Sequence, residues 1–244
     1  MNSSVKQKPL SGAALKAIAL ICMIFDHIGY LGLLNWWWLR QAGRIAFPIF
    51  CFCLVEGFYH THSARGYALR MLLFALITEP CFNFMCTSGR SFAYPAGQNV
   101  MFTLLIGIGV MYVVKQCQPL KGGAVFVCCA VAAGCCLAEL LKTDYSYYGI
   151  LLIAGMYLAH GSLALNALCI VGFVLIMPYY PAIIPFWPSC TLSIYAFALL
   201  AIIPIALYNG SHGSNSSFIK YAFYAAYPLH MLILTLIERG ISVG

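Results

Sequence analysis

Met23-Ile24-Phe25-Asp26-His27-Ile28-Gly29 lies within an apolar run from Leu10 to Leu34, and Gly43-Arg44-Ile45-Ala46-Phe47 opens the next. An aspartate, a histidine and an arginine in lipid-length segments are costly unless they are paired or used. The chain has only six acidic residues, so placing one here is informative. A neutral imidazole at His27 can act as general base toward an amine or hydroxyl within hydrogen-bond reach. Arg44 supplies a fixed cation, able to pair with Asp26 or to steady a developing oxyanion. Consecutive helix positions point about 100° apart, so Asp26 is not expected to orient His27. Glu79 or a residue of a later helix is the expected orienter. Pro48 is expected to bend the second span and free a backbone carbonyl nearby.

The other polar positions divide. Glu56 and His60 are four apart on one helix face, which a simple side-chain contact explains. His60 and His62 end a span beside Tyr59 and read as interfacial rather than as metal ligands. Lys16 and Glu56 fall at similar depth and can pair. Arg40 belongs to Asn35-Trp36-Trp37-Trp38-Leu39-Arg40, an aromatic belt. His160 and His212 are isolated and carry no assignment. His230, in Tyr227-Pro228-Leu229-His230, stands between helix packing and the site. Cys128-Cys129 and Cys135-Cys136 return to one helix face after seven residues, as packing residues do. No metal is expected, because His and acidic residues at zinc spacings are missing. Neither a glycine-rich phosphate loop, a Gly-x-Ser-x-Gly elbow nor a zincin helix is present.

The elements that must position these residues are membrane helices. Of 244 residues, 63% are hydrophobic and 8% charged, and the mean hydropathy is +0.89, which describes a polytopic protein integral to the cell membrane. The net charge of +7 has no basic stripe behind it and does not indicate nucleic acid. No small-residue cleavage site follows the first span, so it reads as retained. Apolar runs bounded by charge, Pro and Gly give an all-α bundle of about nine spans. They run roughly 12–34, 42–59, 67–84, 99–115, 124–141, 147–160, 163–177, 191–208 and 220–238. Gly161-Ser162 joins the sixth and seventh as a tight hairpin, and Pro178 to Pro188 reads as an aromatic interfacial loop. Gly107, Gly109, Ala132, Ala133 and Gly134 are expected to let helices approach closely. No repeat is visible, so residues 1–244 read as one domain, and an oligomer is compatible with it.

The Lys and Arg bias places the N-terminus inside, with Lys6, Lys8, Lys16, Arg65, Arg70, Lys115, Lys121 and Lys220 cytoplasmic. At 1.5 Å per residue the first span reaches Asp26 and His27 after ~20 Å, the level at which Arg44 starts the second. Glu79 comes to the same level on the third span, with Asn83 and Asn99 close by. Glu139, Asp144 and Glu238 fall on this side as well, and His230 near mid-membrane. Lys16, Glu56, His60, His62, Arg65 and Arg70 gather at the opposite, cytoplasmic end. This polarity suits a polyanionic donor from the cytosol and chemistry deeper in the membrane.

These blocks also carry a resemblance. Met23 to Gly29, Gly43 to Phe50, Glu56-Gly57-Phe58-Tyr59-His60-Thr61, Tyr67 with Arg70, Glu79-Pro80, Asn99, Asp144 to Gly149 and Tyr227 to His230 resemble the TraX family. That family is named for a conjugation protein that acetylates the N-terminus of pilin, and it is similar to a wider group of transmembrane acyltransferases. The resemblance implies acetyl-CoA as co-substrate and an acceptor reached from the far side of the membrane. The acceptor would be a pilin N-terminus, a peptide or a glycan. On this reading His27, Asp26 and Arg44 are catalytic, with His27 as base. Glu79, Asn83, Asn99, Glu56, Arg65, Arg70, Asp144, Tyr148 and His230 are the candidate substrate- or cofactor-binding residues, the CoA phosphates lying on Arg65 and Arg70. Two other classes stay open: a proton- or ion-coupled carrier, which also uses intramembrane Asp, Glu and His, and a non-catalytic assembly factor for a surface filament. A carrier would favour broken helices repeated in two halves, which are not visible.

Overall fold

The computed structural model describes residues 8–93, 96–187, 189, 191–213 and 217–243. Lys6 and Pro188 lie outside the described residues, as does the side chain of Lys220. The helices are α1 (Gly12–Tyr30), α2 (Trp38–Gly43), α3 (Ala46–His60), α4 (Ala64–Cys86), α5 (Val100–Cys117), α6 (Gly123–Leu140), α7 (Ser146–Leu158) and α8 (Leu163–Ile176). A 3-10 segment (Ile194–Ala201), α9 (Ile202–Ala206) and α10 (Ser217–Val243) follow. Among the described residues, side chains cap four α-helix starts, where Ser11 accepts from Ala14, Ser63 from Gly66, Asn99 from Met101 and Ser162 from Leu165, and Ser193 caps the 3-10 segment through Tyr195 N.

The chain is an all-α, membrane-embedded bundle, and where about nine spans were expected, five helical stretches among the described residues are long and apolar enough to cross a membrane. They are Gly12–Tyr30, Trp38–His60, Ala64–Cys86, Val100–Cys117 and Gly123–Leu140. The expected sixth to eighth spans are the shorter apolar helices Ser146–Leu158, Leu163–Ile176 and Ile194–Ala206. At 1.5 Å per residue, 13 or 14 residues reach only about 20 Å of a hydrocarbon layer near 30 Å. The ninth is α10, long at 27 residues but diluted by Tyr221, Tyr224, Tyr227, Pro228 and His230. The second span is broken at Arg44 and Ile45. Pro48 has no N–H to offer the Arg44 carbonyl four residues back, which accounts for the break there.

Helix α1 packs against α2, α3 and α10, while α4 lies between α5 and α10. Helices α5, α6 and α7 pack on one another, and α7 joins this group to α3 and α8. The core runs through their contact faces, with Leu15, Ile49, Ile108, Met111, Ile150, Ile153 and Met231 fully buried. The stretch after α8 folds back through Ala182 N to Leu192 O (2.9 Å) and Ile194 N to Tyr180 O (2.7 Å). It then covers α2: the Gln41 amide donates to Ile183 O, and Trp37 meets Phe186 edge to face.

The small residues are not equivalent. A Cβ on Gly134 would stand 2.3 Å from a Val110 methyl, and one on Gly107 2.6 Å from Ile153, whereas Gly109 faces open space. Gly134→Ala should therefore lower the thermal midpoint in detergent, with a cost of about 1–3 kcal/mol typical of overpacking. Gly109→Ala should leave it unchanged or raise it. Equal midpoints for the two variants would refute the close α5–α6 approach.

Candidate functional site

Asp26 and His27 leave α1 on different faces. Asp26 turns to α2, where Arg40 Nη1 stands 2.8 Å from Oδ2 and Arg44 Nη2 donates to Oδ1. Two glycines make this approach possible. A Cβ on Gly43 would lie 2.3 Å from the Asp26 Cβ, and one on Gly29 3.0 Å from the Leu39 Cβ. Arg44 is 9% exposed and Arg40 37%, so the first cation is the buried one. Arg44 also donates from Nε to Arg40 O (3.3 Å) and from Nη1 to the Tyr145 hydroxyl (3.4 Å). Its guanidinium carbon lies 5.6 Å from the centre of the Tyr195 ring.

Tyr145 is held firmly. Its ring stacks on Phe47 with centroids 3.7 Å apart and planes within 1°. Its backbone is left-handed (φ 62°), as is that of Ser146 (φ 40°), conformations that cost about 1–3 kcal/mol each and persist only under strong local constraint. The constraint is visible: Gln98 N donates to Lys142 O, Asp144 N to Gln98 O, and the Thr103 hydroxyl to Asp144 O. Burial pushes the Tyr145 phenol up, against the pull of Arg44, so it stays protonated. Because its oxygen accepts from Arg44, its proton is left to donate elsewhere.

His27 turns to α10. Its Nδ1 stands 2.6 Å from Nε2 of His230, with the two rings nearly parallel. His230 Nδ1 lies 2.8 Å from the carbonyl of Ala226. A carbonyl only accepts, so His230 carries its proton on Nδ1 and, if neutral, presents a lone pair at Nε2. His27 must then donate from Nδ1, which leaves the lone pair on its own Nε2. No hydrogen bond engages that nitrogen among the described residues. The arrangement is that of a neutral base with its tautomer set by a second imidazole.

Glu79 is occupied elsewhere. Its Oε2 accepts from both the backbone N–H (3.1 Å) and the side-chain amide (2.7 Å) of Asn99, whose amide also donates to Ala75 O. Glu79 thus ties α4 to the start of α5, and of the two orienters expected for His27, Glu79 or a residue of a later helix, the one beside it is His230 of α10. Asn83 donates to Phe92 O. Asp144 caps Tyr145 through its carboxylate. Tyr148 packs against Tyr147, and it is Tyr145 that reaches Arg44.

Glu56 lies twelve residues beyond Arg44 in the same span, roughly 18 Å away along the helix. There it pairs with His160 (3.0 Å) and more distantly with His60 (3.7 Å), while His160 stacks on Tyr59. Glu56 is held by histidines, and Lys16 faces a cavity with Arg70; Arg65 is exposed. Sequence reasoning passed over Arg40, Tyr195 and His160. Only Gly29 and Gly43, spaced to admit Arg40 beside Asp26, signalled the first.

A family model described as TraX protein matches residues 11–238. The chain is 28% identical over 240 residues to a probable fimbrial assembly protein FimC, serogroup H1, of Dichelobacter nodosus, covering 92% of this chain and 94% of that protein. No solved structure matches it.

Breaking a buried ion pair by removing one partner costs about 3–5 kcal/mol, whereas an exposed partner contributes little. Thermal unfolding in detergent should therefore rank Asp26→Asn and Arg44→Met well below Arg40→Met. If Arg40→Met were the most destabilising, Arg44 would not be the buried partner.

Proposed function

The chain belongs to the TraX family, an acetyltransferase-type assignment at a membrane, and we propose that it moves an acetyl group from acetyl-CoA to an amine or hydroxyl acceptor with His27 as general base. The observation that carries this reading is the hydrogen-bonded order Ala226 O, His230, His27, which leaves a lone pair on His27 Nε2. As the acceptor nitrogen or oxygen attacks the thioester carbonyl carbon, its proton passes to that lone pair. The C–S bond breaks, an amide or ester forms, and the proton moves on to the departing sulfur as free thiol. His27 ends as it began. While it is protonated, its Nδ1–H bond to His230 strengthens, which spreads the charge.

Arg44 gives N–H groups to Asp26, Tyr145 and Arg40 and is also hydrogen-bonded to Tyr195, so one of its five N–H groups is left, and with a nearby amide it steadies the oxyanion. Asp26 holds Arg44 in place. The N-terminal amine of a pilin-like subunit is the acceptor, a choice supported by the family and by the printed name of the Dichelobacter relative. The N-terminus inside is supported by the excess of Lys and Arg on that side of the five long helices. Residues 1–244 act as one domain. A count near nine crossings would need the three short helices and α10 to traverse the bilayer as well.

Purified protein given acetyl-CoA and a panel of amines, sugars and peptides should release free thiol. His27→Ala should lower that rate by about 10²-fold or more, the usual weight of a general base. The rate of the wild type should fall as pH drops through imidazole titration, because a protonated His27 has no lone pair. His230→Gln, whose amide oxygen can still accept from His27 Nδ1, should retain more activity than His230→Ala. Unchanged thiol release in folded His27→Ala would remove His27 as base. The absence of any release by wild type would favour a carrier or an assembly role.

A further inference from the structure

Helices α1, α3, α4, α5 and α10 line a partly open cavity of about 470 Å³, a size that takes a small ligand or cofactor. Its charged and imidazole lining is of one kind: Lys16, Arg70, His60, His62 and His212, with no carboxylate. These groups gather at one end. The His60 and His212 rings are 6.1 Å apart, and the backbone of residue 212 packs on Gly12, one turn before Lys16. Arg70 lies 5.9 Å from the centre of the Tyr67 ring, and its Nε is buried with no hydrogen-bond partner. The nearest carboxylate to this end among the described ion pairs, Glu56, is shared between His160 and His60.

The other end is apolar and is lined by Met23, Val100, Met101 and Tyr227. Met23 is four residues before His27 on α1, and Tyr227 three before His230 on α10. Each therefore shares a helix face with the imidazole that follows it. From Lys16 to His27 is eleven residues, roughly 16 Å along α1.

We infer that this cavity is the binding site of a phosphate-bearing amphiphile, with the phosphates against Lys16 and Arg70 and the slender tail ending below the His27–His230 pair. The inference rests on the acyl-transfer reading for one of its two sources, in which the amphiphile is the acetyl-CoA donor. The other source of the same chemistry is an anionic phospholipid. A guanidinium offers phosphate two parallel donors and an ammonium offers a point charge, so Arg70 and Lys16 are complementary rather than redundant. Arg65, the other phosphate ligand expected from the sequence, is exposed and outside the lining.

The test measures binding to the full chain in neutral detergent with three probes: acetyl-CoA, S-acetylpantetheine (the same arm without the nucleotide phosphates) and phosphatidylglycerol. Lys16→Ala and Arg70→Ala should each weaken acetyl-CoA by about tenfold, the weight of one charge-assisted contact. Both should leave S-acetylpantetheine unchanged, Lys16→Arg should restore most of the loss, and thermal midpoints should show that the variants are folded. Binding of phosphatidylglycerol that depends on Lys16 and Arg70, without binding of acetyl-CoA, supports the site and assigns it to lipid. Acetyl-CoA binding indifferent to both substitutions, with no phosphatidylglycerol bound, overturns the inference. If thiol release then still depends on His27, the acyl-transfer reading survives alone. Binding of acetyl-CoA or phosphatidylglycerol that depends on Lys16 and Arg70, in a wild type that releases no thiol, leaves the cavity standing and removes the acyl-transfer reading.

Discussion

A carboxylate among apolar helices cannot stay charged without partners, and Asp26 has two, Arg40 and Arg44. Much of the surrounding architecture follows from keeping that group together. Helix α2 must come close enough to α1 for Gly43 to lie against the Asp26 side chain, which leaves no room for a Cβ. Asp144 adds a second carboxyl to the field of the two guanidiniums, and neutral oxygens and rings complete the surroundings. The carbonyl of Arg40, the phenol of Tyr145 and the face of Tyr195 surround Arg44. Tyr145 reaches this position only with left-handed backbone, which the turn at 142–146 holds through Gln98 and Thr103.

Because Asp26 and His27 are consecutive, anchoring one aims the other. With Asp26 fixed toward α2, the helix carries His27 round to α10, where a buried histidine meets it. Helix α1 thus divides the molecule: a charge cluster on one side, a pair of imidazoles on the next face, and Lys16 nearer its start beside the basic end of the cavity. Helices α4 and α5 close the arrangement through Glu79 and Asn99, an acid spent on holding two helices at a fixed offset.

How much of this the sequence disclosed depended on whether a feature was local. The five long helices follow from apolar runs bounded by charge, Pro and Gly. Depth along a helix was also readable, which is why Asp26 and Arg44 were assigned to one level. Rotation about the axis was not. Whether Glu79 or His230 stands beside His27 depends on how α4 and α10 dock, and apolar positions all round a membrane helix erase the periodic signal that would show it. The same loss hid His160 opposite Glu56, and it favoured Tyr148 over Tyr145. Arg40 was hidden by composition, since three tryptophans beside it read as an interface belt. The crossing count was met only in part: α7, α8 and the segment Ile194–Ala206 are apolar but short, and an apolar run alone does not reveal where its helix ends.

The two imidazoles belong to residues 203 positions apart in the chain, on α1 and on α10. Helix α1 is therefore made well before α10. Until α10 docks, the ring on α1 has neither its neighbour nor the hydrogen bond that sets its tautomer. The pairing therefore ties the tautomer of His27 to the docking of a helix far away in the chain: α1 and α10 must meet before that imidazole has a fixed orientation of its proton.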